Sequence, residues 1–213
     1  ALGVGVEGNL TITTGNLTLN NIALTLGGDF VLTSGTFIPG NADHTVAGDW
    51  TETGGTTFEA ALGKFTFTGD AKTITTDAAG GNKFFNLFIN PGGGNTVNAG
   101  SELDIDGELQ VTDGTLAMAG NSADVAGITD IDGTLSQSTG SIFTANGNIE
   151  IDASGLLSLT TGTFTANAIT DIDGTLSLTT GTFTANGLTD VDGTLLIEGT
   201  GIYNADGQFT ADG

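Results

Sequence analysis

The chain contains no cysteine, no arginine, two prolines and one histidine in 213 residues. Without cysteine there is neither a disulfide framework nor a thiolate nucleophile, and the redox compartment is left open. Three lysines, Lys64, Lys72 and Lys83, stand against 25 acidic residues, giving a formal net charge of −22. So few cations cannot neutralise a phosphate backbone, which excludes nucleic acid as a partner and disfavours anionic membrane surfaces. No apolar run approaches the roughly 18 residues of a membrane span, so no membrane insertion is expected. The lone His44 lies in Asn-Ala-Asp-His-Thr without a partner motif, so most nucleophile–base arrangements are excluded and no catalysis is expected.

What is abundant is glycine, 36 residues, together with threonine and 12 phenylalanines, and the glycines are periodic. Pairs seven residues apart recur at Gly8/Gly15, Gly28/Gly35, Gly48/Gly55, Gly107/Gly114, Gly133/Gly140, Gly155/Gly162 and Gly174/Gly181, and Gly193/Gly201 repeats the pair with one residue inserted. Two places after each first glycine stands Leu10, Phe30, Trp50, Leu109, Leu135, Leu157, Leu176 or Leu195. Within a unit, Leu10 and Ile12 alternate with Thr11 and Thr13, and Leu17/Leu19 and Leu24/Leu26 repeat the alternation, which predicts three short strands per unit. Repeats of this length predict an all-β, single-domain parallel β-helix (β-solenoid), with about 20 residues per rung and roughly ten rungs over 1–213. The stretch 57–100 is expected to be less regular, with loops, because it carries Pro91, Gly92-Gly93-Gly94 and all three lysines.

Lys64-Phe-Thr-Phe-Thr-Gly69, Thr73-Ile-Thr75, Phe84-Phe-Asn-Leu-Phe-Ile-Asn90 and Gly107-Glu-Leu-Gln-Val-Thr-Asp-Gly-Thr-Leu116 resemble repeats of large secreted bacterial surface proteins, in the style of filamentous haemagglutinin and autotransporter β-helices. The resemblance implies a right-handed helix and use as an adhesin, stalk or fibre. The Thr/Gly/Asn-rich, Lys-poor composition also suggests secretion, and the Ala-Leu-Gly start looks like that of a processed or excised product.

Acidic pairs also repeat. Asp130/Asp132, Glu150/Asp152, Asp171/Asp173 and Asp190/Asp192 follow one another at spacings of 20, 21 and 19, and Asp104/Asp106 has the same Asp-Ile-Asp form. Stacked about 4.8 Å apart, such carboxylates repel by about 1 kcal/mol per pair in water and more near a protein surface. Calcium is the natural cation to relieve that repulsion, because hard oxygen ligands in a flexible array suit it. No calcium-binding nonapeptide or helical-hand loop is present, and a solvated acidic edge that keeps the rod soluble is the plainer reading. No cofactor is required.

If Phe85, Leu87 and Ile89 point inward, Phe84 and Phe88 point outward and form an apolar contact patch, unless a bulge or the Asn90–Asn95 loop covers them. Glu52 and Gln137 occupy positions filled by Ile12, Leu32, Val111, Leu159, Leu178 and Ile197 elsewhere, and a register shift that turns Glu52 to solvent avoids burying its charge. Thr163/Thr165 and Thr182/Thr184 form a hydroxyl grid too short to favour ice binding. Repeated acid pairs argue against a polysaccharide-degrading enzyme, whose site is normally made once.

At the carboxyl end, Gly207-Gln208-Phe209-Thr-Ala-Asp-Gly213 aligns with Gly187–Gly193, inside a repeat, and no capping segment precedes Gly8. These ends predict an extracellular fibre or stalk subunit that associates head to tail with copies of itself, with Gln208 and Phe209 at the interface. A carbohydrate-binding surface adhesin, with surface glycans as partners, is the alternative.

Overall fold

The computed structural model describes residues 3–211. The chain winds as a parallel β-solenoid of about ten turns with three faces. The first face is an 11-stranded sheet from Gly3–Val6 to Phe209–Ala211, and the second a 10-stranded sheet from Leu10–Ile12 to Thr194–Ile197. The third face is split into a three-stranded sheet, Asn16–Thr18 to Thr57–Phe58, and a six-stranded sheet, Leu103–Ile105 to Ile202–Ala205. The expected all-β solenoid with about 20 residues per rung is thus the observed fold. The expected extent 1–213 includes residues 1–2 and 212–213, which lie outside the described residues.

The strands are two to four residues long because alternation dictates their two faces and glycine or asparagine then turns the chain. Phe164 and Ala166 are buried between half-exposed or exposed Thr163 and Thr165, and Phe183 and Ala185 repeat this one rung on, in register. Identical inward residues therefore stack. Phe143, Phe164, Phe183 and Tyr203 form a column with ring centroids 4.5, 5.1 and 5.4 Å apart. At the corners the backbones approach closely: a Cβ on Gly147 would lie 2.2 Å from the Gly127 carbonyl oxygen, so only glycine fits.

Rung length is not uniform. On the second face Trp50 pairs with Ile74 and Ile74 with Ala99, steps of 24 and 25 residues, whereas Leu116 pairs with Leu135, a step of 19. The extra residues form the 3-10 turn Ala78–Gly80 and the loops around it, within the stretch expected to be irregular. These insertions shift the frame. Leu109, aligned by its preceding glycine with Leu10, Phe30 and Trp50, pairs instead with Leu87 and Thr129 on the first face, and Val111 goes with it.

Around the third rung the core is an aromatic cluster about fully buried Trp50, which stacks on Phe30 at 3.9 Å and meets Phe58, Phe65 and Phe84 at 5.1 to 5.5 Å. Glu52 is buried beside it, 4 % exposed, contrary to the expected turn toward solvent. It keeps register with Leu32 because three donors satisfy its carboxylate: Trp50 Nε1 at 2.6 Å, Asn82 Nδ2 at 2.8 Å and the Asp77 amide at 3.0 Å. The inserted turn supplies two of these donors, so insertion and buried acid form one unit. Burial pushes the Glu52 carboxyl above its ordinary range. Gln137, likewise buried, donates to Ser141 Oγ at 2.9 Å.

His44 is fully buried against Phe65; its Nδ1 accepts the Leu24 amide at 3.1 Å and its Nε2 has no partner. Burial lowers its pKa to about 4. A histidine held neutral in the fold binds its proton more readily when unfolded, so its contribution is intact above about pH 6.5 and is lost as pH falls toward about 4. His44→Leu should lower stability at neutral pH, by orphaning the Leu24 amide, yet flatten the acid slope in that window, as read by denaturant titrations at several pH values. Glu52→Leu removes the acceptor of buried Trp50 Nε1 and of the half-buried Asp77 amide, leaves Asn82 Nδ2 with Thr56 Oγ1 alone, and should cost about 3 kcal/mol in the same measurement.

Candidate functional site

The most ordered array of chemistry-bearing residues is the acidic edge of the first face. Strands Leu109–Val111, Thr129–Ile131, Ile149–Ile151, Thr170–Ile172, Thr189–Val191 and Phe209–Ala211 pair in register, so Gln110, Asp130, Glu150, Asp171, Asp190 and Thr210 stand in one outward column. Alternation forces this, because Thr129/Ile131 and their counterparts face the core. Asp132, Asp152, Asp173 and Asp192 follow two residues later, just past the strand ends, and make a second column. The structure therefore brings together the eight carboxylates that the spacing predicts.

Asp104 and Asp106 do not join them. Leu103–Ile105 belongs to the third face, where Asp104 pairs with Asp124, because the frame shift around the inserted turn moves this Asp-Ile-Asp by one face. Asp106 instead holds Lys83 Nζ at 2.7 Å.

Within the columns, carboxylate oxygens of Asp130, Asp132 and Asp152 lie within 4.8 Å of one another. Gln110 caps the group, donating from Nε2 to Asp130 Oδ2 at 2.8 Å, and at the far end Thr210 Oγ1 donates to Asp190 Oδ1 at 2.7 Å. Both caps were legible from the 20-residue step but carry no charge to draw attention. Partial burial, then a shared hydrogen bond with Asp152 and the charge of Asp130, push Asp132 up to about 6. Burial raises Asp130, with the Gln110 bond opposing, and burial together with Asp173, Asp190, Asp192 and Asp152 raises Asp171. Asp130, Asp132 and Asp152 are the residues able to hold a hard divalent cation such as calcium.

The chain was also compared with known proteins. No protein-family model, curated protein or solved structure matches it.

The expected outward pair Phe84/Phe88 does not form. Phe84 is fully buried and bridges to Ile105 on the third face, whereas Asn86–Ile89 lies on the first face. The chain turns a corner between them, so the alternation counted back from Ile89 breaks at Phe85 and Asn86. Phe88 does point outward, half-buried, with Lys64 Nζ 4.9 Å from its ring centroid and 3.2 Å from Asp43 Oδ2. Gln208 lies just before, and Phe209 on, the last strand of the first face; Phe209 is 43 % exposed and its ring packs edge-on to Tyr203.

A carboxyl raised in the folded state costs stability above its folded pKa and regains it as the pH falls toward the unfolded value. For Asp132 the relief runs from about 6 down to 3.8. Asp132→Asn should therefore be more stable than the parent above pH 6 and lose the advantage in acid, as followed by thermal unfolding. Calcium should stabilise the parent above pH 6 and leave the variant unchanged; an equal response to sodium at matched ionic strength would assign the edge to plain solvation.

Proposed function

We propose that the chain is a structural rod, a segment of an extracellular fibre or stalk whose three faces continue by end-to-end stacking with a second copy. The observation that carries this reading is the unbroken parallel register of the first face across all 11 strands, with the second face alongside it. A ladder of this kind is extended by any rung with the same alternation, because the new strand satisfies the edge amides and carbonyls and covers the apolar cross-section.

The two outermost described rungs suit that use. Ile197 and Phe209 are 49 and 43 % exposed at one edge, and Val4 is 40 % exposed at the other, where the residues they pair with one rung in, Leu178, Thr189 and Leu24, are buried. A head-to-tail contact of this type is heterologous and does not close, so it propagates as a filament. The outward carboxylate columns complement this, since like charges along the sides oppose lateral association while the ends stay apolar. An extracellular, bacterial cell-surface setting is supported by the resemblance of the Phe-rich and Gly-Thr-Leu segments to secreted surface repeats.

Negative-stain electron microscopy and light scattering at increasing concentration should show rods that lengthen end to end, and Phe209→Glu should shorten them. A chain that stays monomeric at high concentration, with and without calcium, overturns the filament reading.

A further inference from the structure

Where the third face passes from its three-stranded to its six-stranded sheet, the strand pairing among the described residues thins to the single bridges Glu59 to Lys83 and Phe84 to Ile105. A cleft of about 330 Å³ opens beside this junction, lined among others by Phe58, Glu59, Lys83, Phe84, Phe85 and Asp106. Its volume falls at the lower end of the range for small-molecule pockets, about 300–1,000 Å³.

The wall chemistry is mixed in a specific way. Phe58 and Phe84, buried and packed edge to face at 5.2 Å, make a rigid floor. Phe85 is half-buried, at the corner where the chain leaves the third face for the first. Its Cδ1 would lie 3.1 Å from a Cβ on Gly107, so the ring rests on a glycine backbone and is held in place. On the rim, Lys83 Nζ is 2.7 Å from Asp106 Oδ1, and Glu59 is exposed on the neighbouring rung. An apolar ring face thus stands beside one cationic donor and two carboxylate acceptors.

We propose that this cleft binds a single neutral sugar ring. A pyranose has a C–H face that packs on an aromatic ring, whose π-face is electronegative, and hydroxyls that both donate and accept. Phe85 supplies the face, Glu59 and Asp106 accept from hydroxyls, and Lys83 donates to a hydroxyl or ring oxygen. Two carboxylates to one ammonium, on a chain of net charge −22, exclude an anionic ligand of the same size. The ammonium paired with Asp106 likewise repels a bare metal ion. The inference stands on the cleft alone and is independent of end-to-end assembly.

The test is an amide-resolved NMR titration of the whole chain with the methyl glycosides of glucose, galactose and mannose, and with glucuronate as the anionic control. At least one neutral glycoside should give saturable shifts at the Lys83, Phe85 and Asp106 amides, with a dissociation constant of about 1 mM. Phe85→Ala should weaken it about tenfold, the loss of a stacking face worth roughly 1.4 kcal/mol. Glu59→Gln, a change at an exposed side chain that leaves the fold intact, should weaken it several-fold. No shift with any neutral sugar, shifts that survive Glu59→Gln unchanged, or equal binding of glucuronate would overturn the assignment.

Discussion

The parallel backbone ladder is the constraint on which everything else here depends. A rung of about 20 residues makes few hydrogen bonds within itself; its amides and carbonyls are satisfied by the rungs above and below, as when the Thr129 amide donates to Asn148 and the Ile149 amide to Ile169. The ladder fixes register, and register fixes every column: buried Phe143–Phe164–Phe183, outward Asp130–Glu150–Asp171–Asp190, and corner glycines that admit no Cβ. A side chain that suits one rung is thereby repeated against its copy, whether the copy attracts, as phenylalanine does, or repels, as aspartate does.

That repetition explains how the acidic edge is tolerated. The hydrophobic columns on the inner side of the same strands hold the carboxylates in line, and Gln110 and Thr210 neutralise part of the repulsion at the two ends of the row. Partial burial, added to by neighbouring carboxylates, raises Asp130, Asp132 and Asp171 within this row. Lys64 and Lys83 work locally instead, each paired with one aspartate outside the row.

The fold was legible because alternation and glycine spacing are local signals that every rung repeats. What defeated the sequence reading was addition of residues without loss of pattern. Between Trp50 and Ala99 the second face gains residues at each turn, so Gly107 and Leu109 fall into the right spacing on the wrong face, and Asp104 follows them. Phe84 departs from the parity count because such a count assumes a strand that does not turn, and the corner falls at Phe85 and Asn86. Glu52 sits where the column demands an aliphatic residue; its three partners arrive from Trp50, Asp77 and Asn82, two of them up to 30 residues away, and no short-range pattern announces them. The acid column was found because its members obey the period, and the cleft near Phe85 was missed because it exists only where the period fails.

If neighbouring rungs supply each other's hydrogen bonds, protection from solvent exchange must follow position in the stack and not position in the sequence. Native-state hydrogen exchange measures this directly. Ladder amides of the interior rungs, such as those of Thr129, Ile149 and Thr170, should exchange slowly and at a common rate, with protection falling toward Gly3–Val6 and Phe209–Ala211. Fast exchange across the interior ladder, with slow exchange at the two ends, would contradict the account.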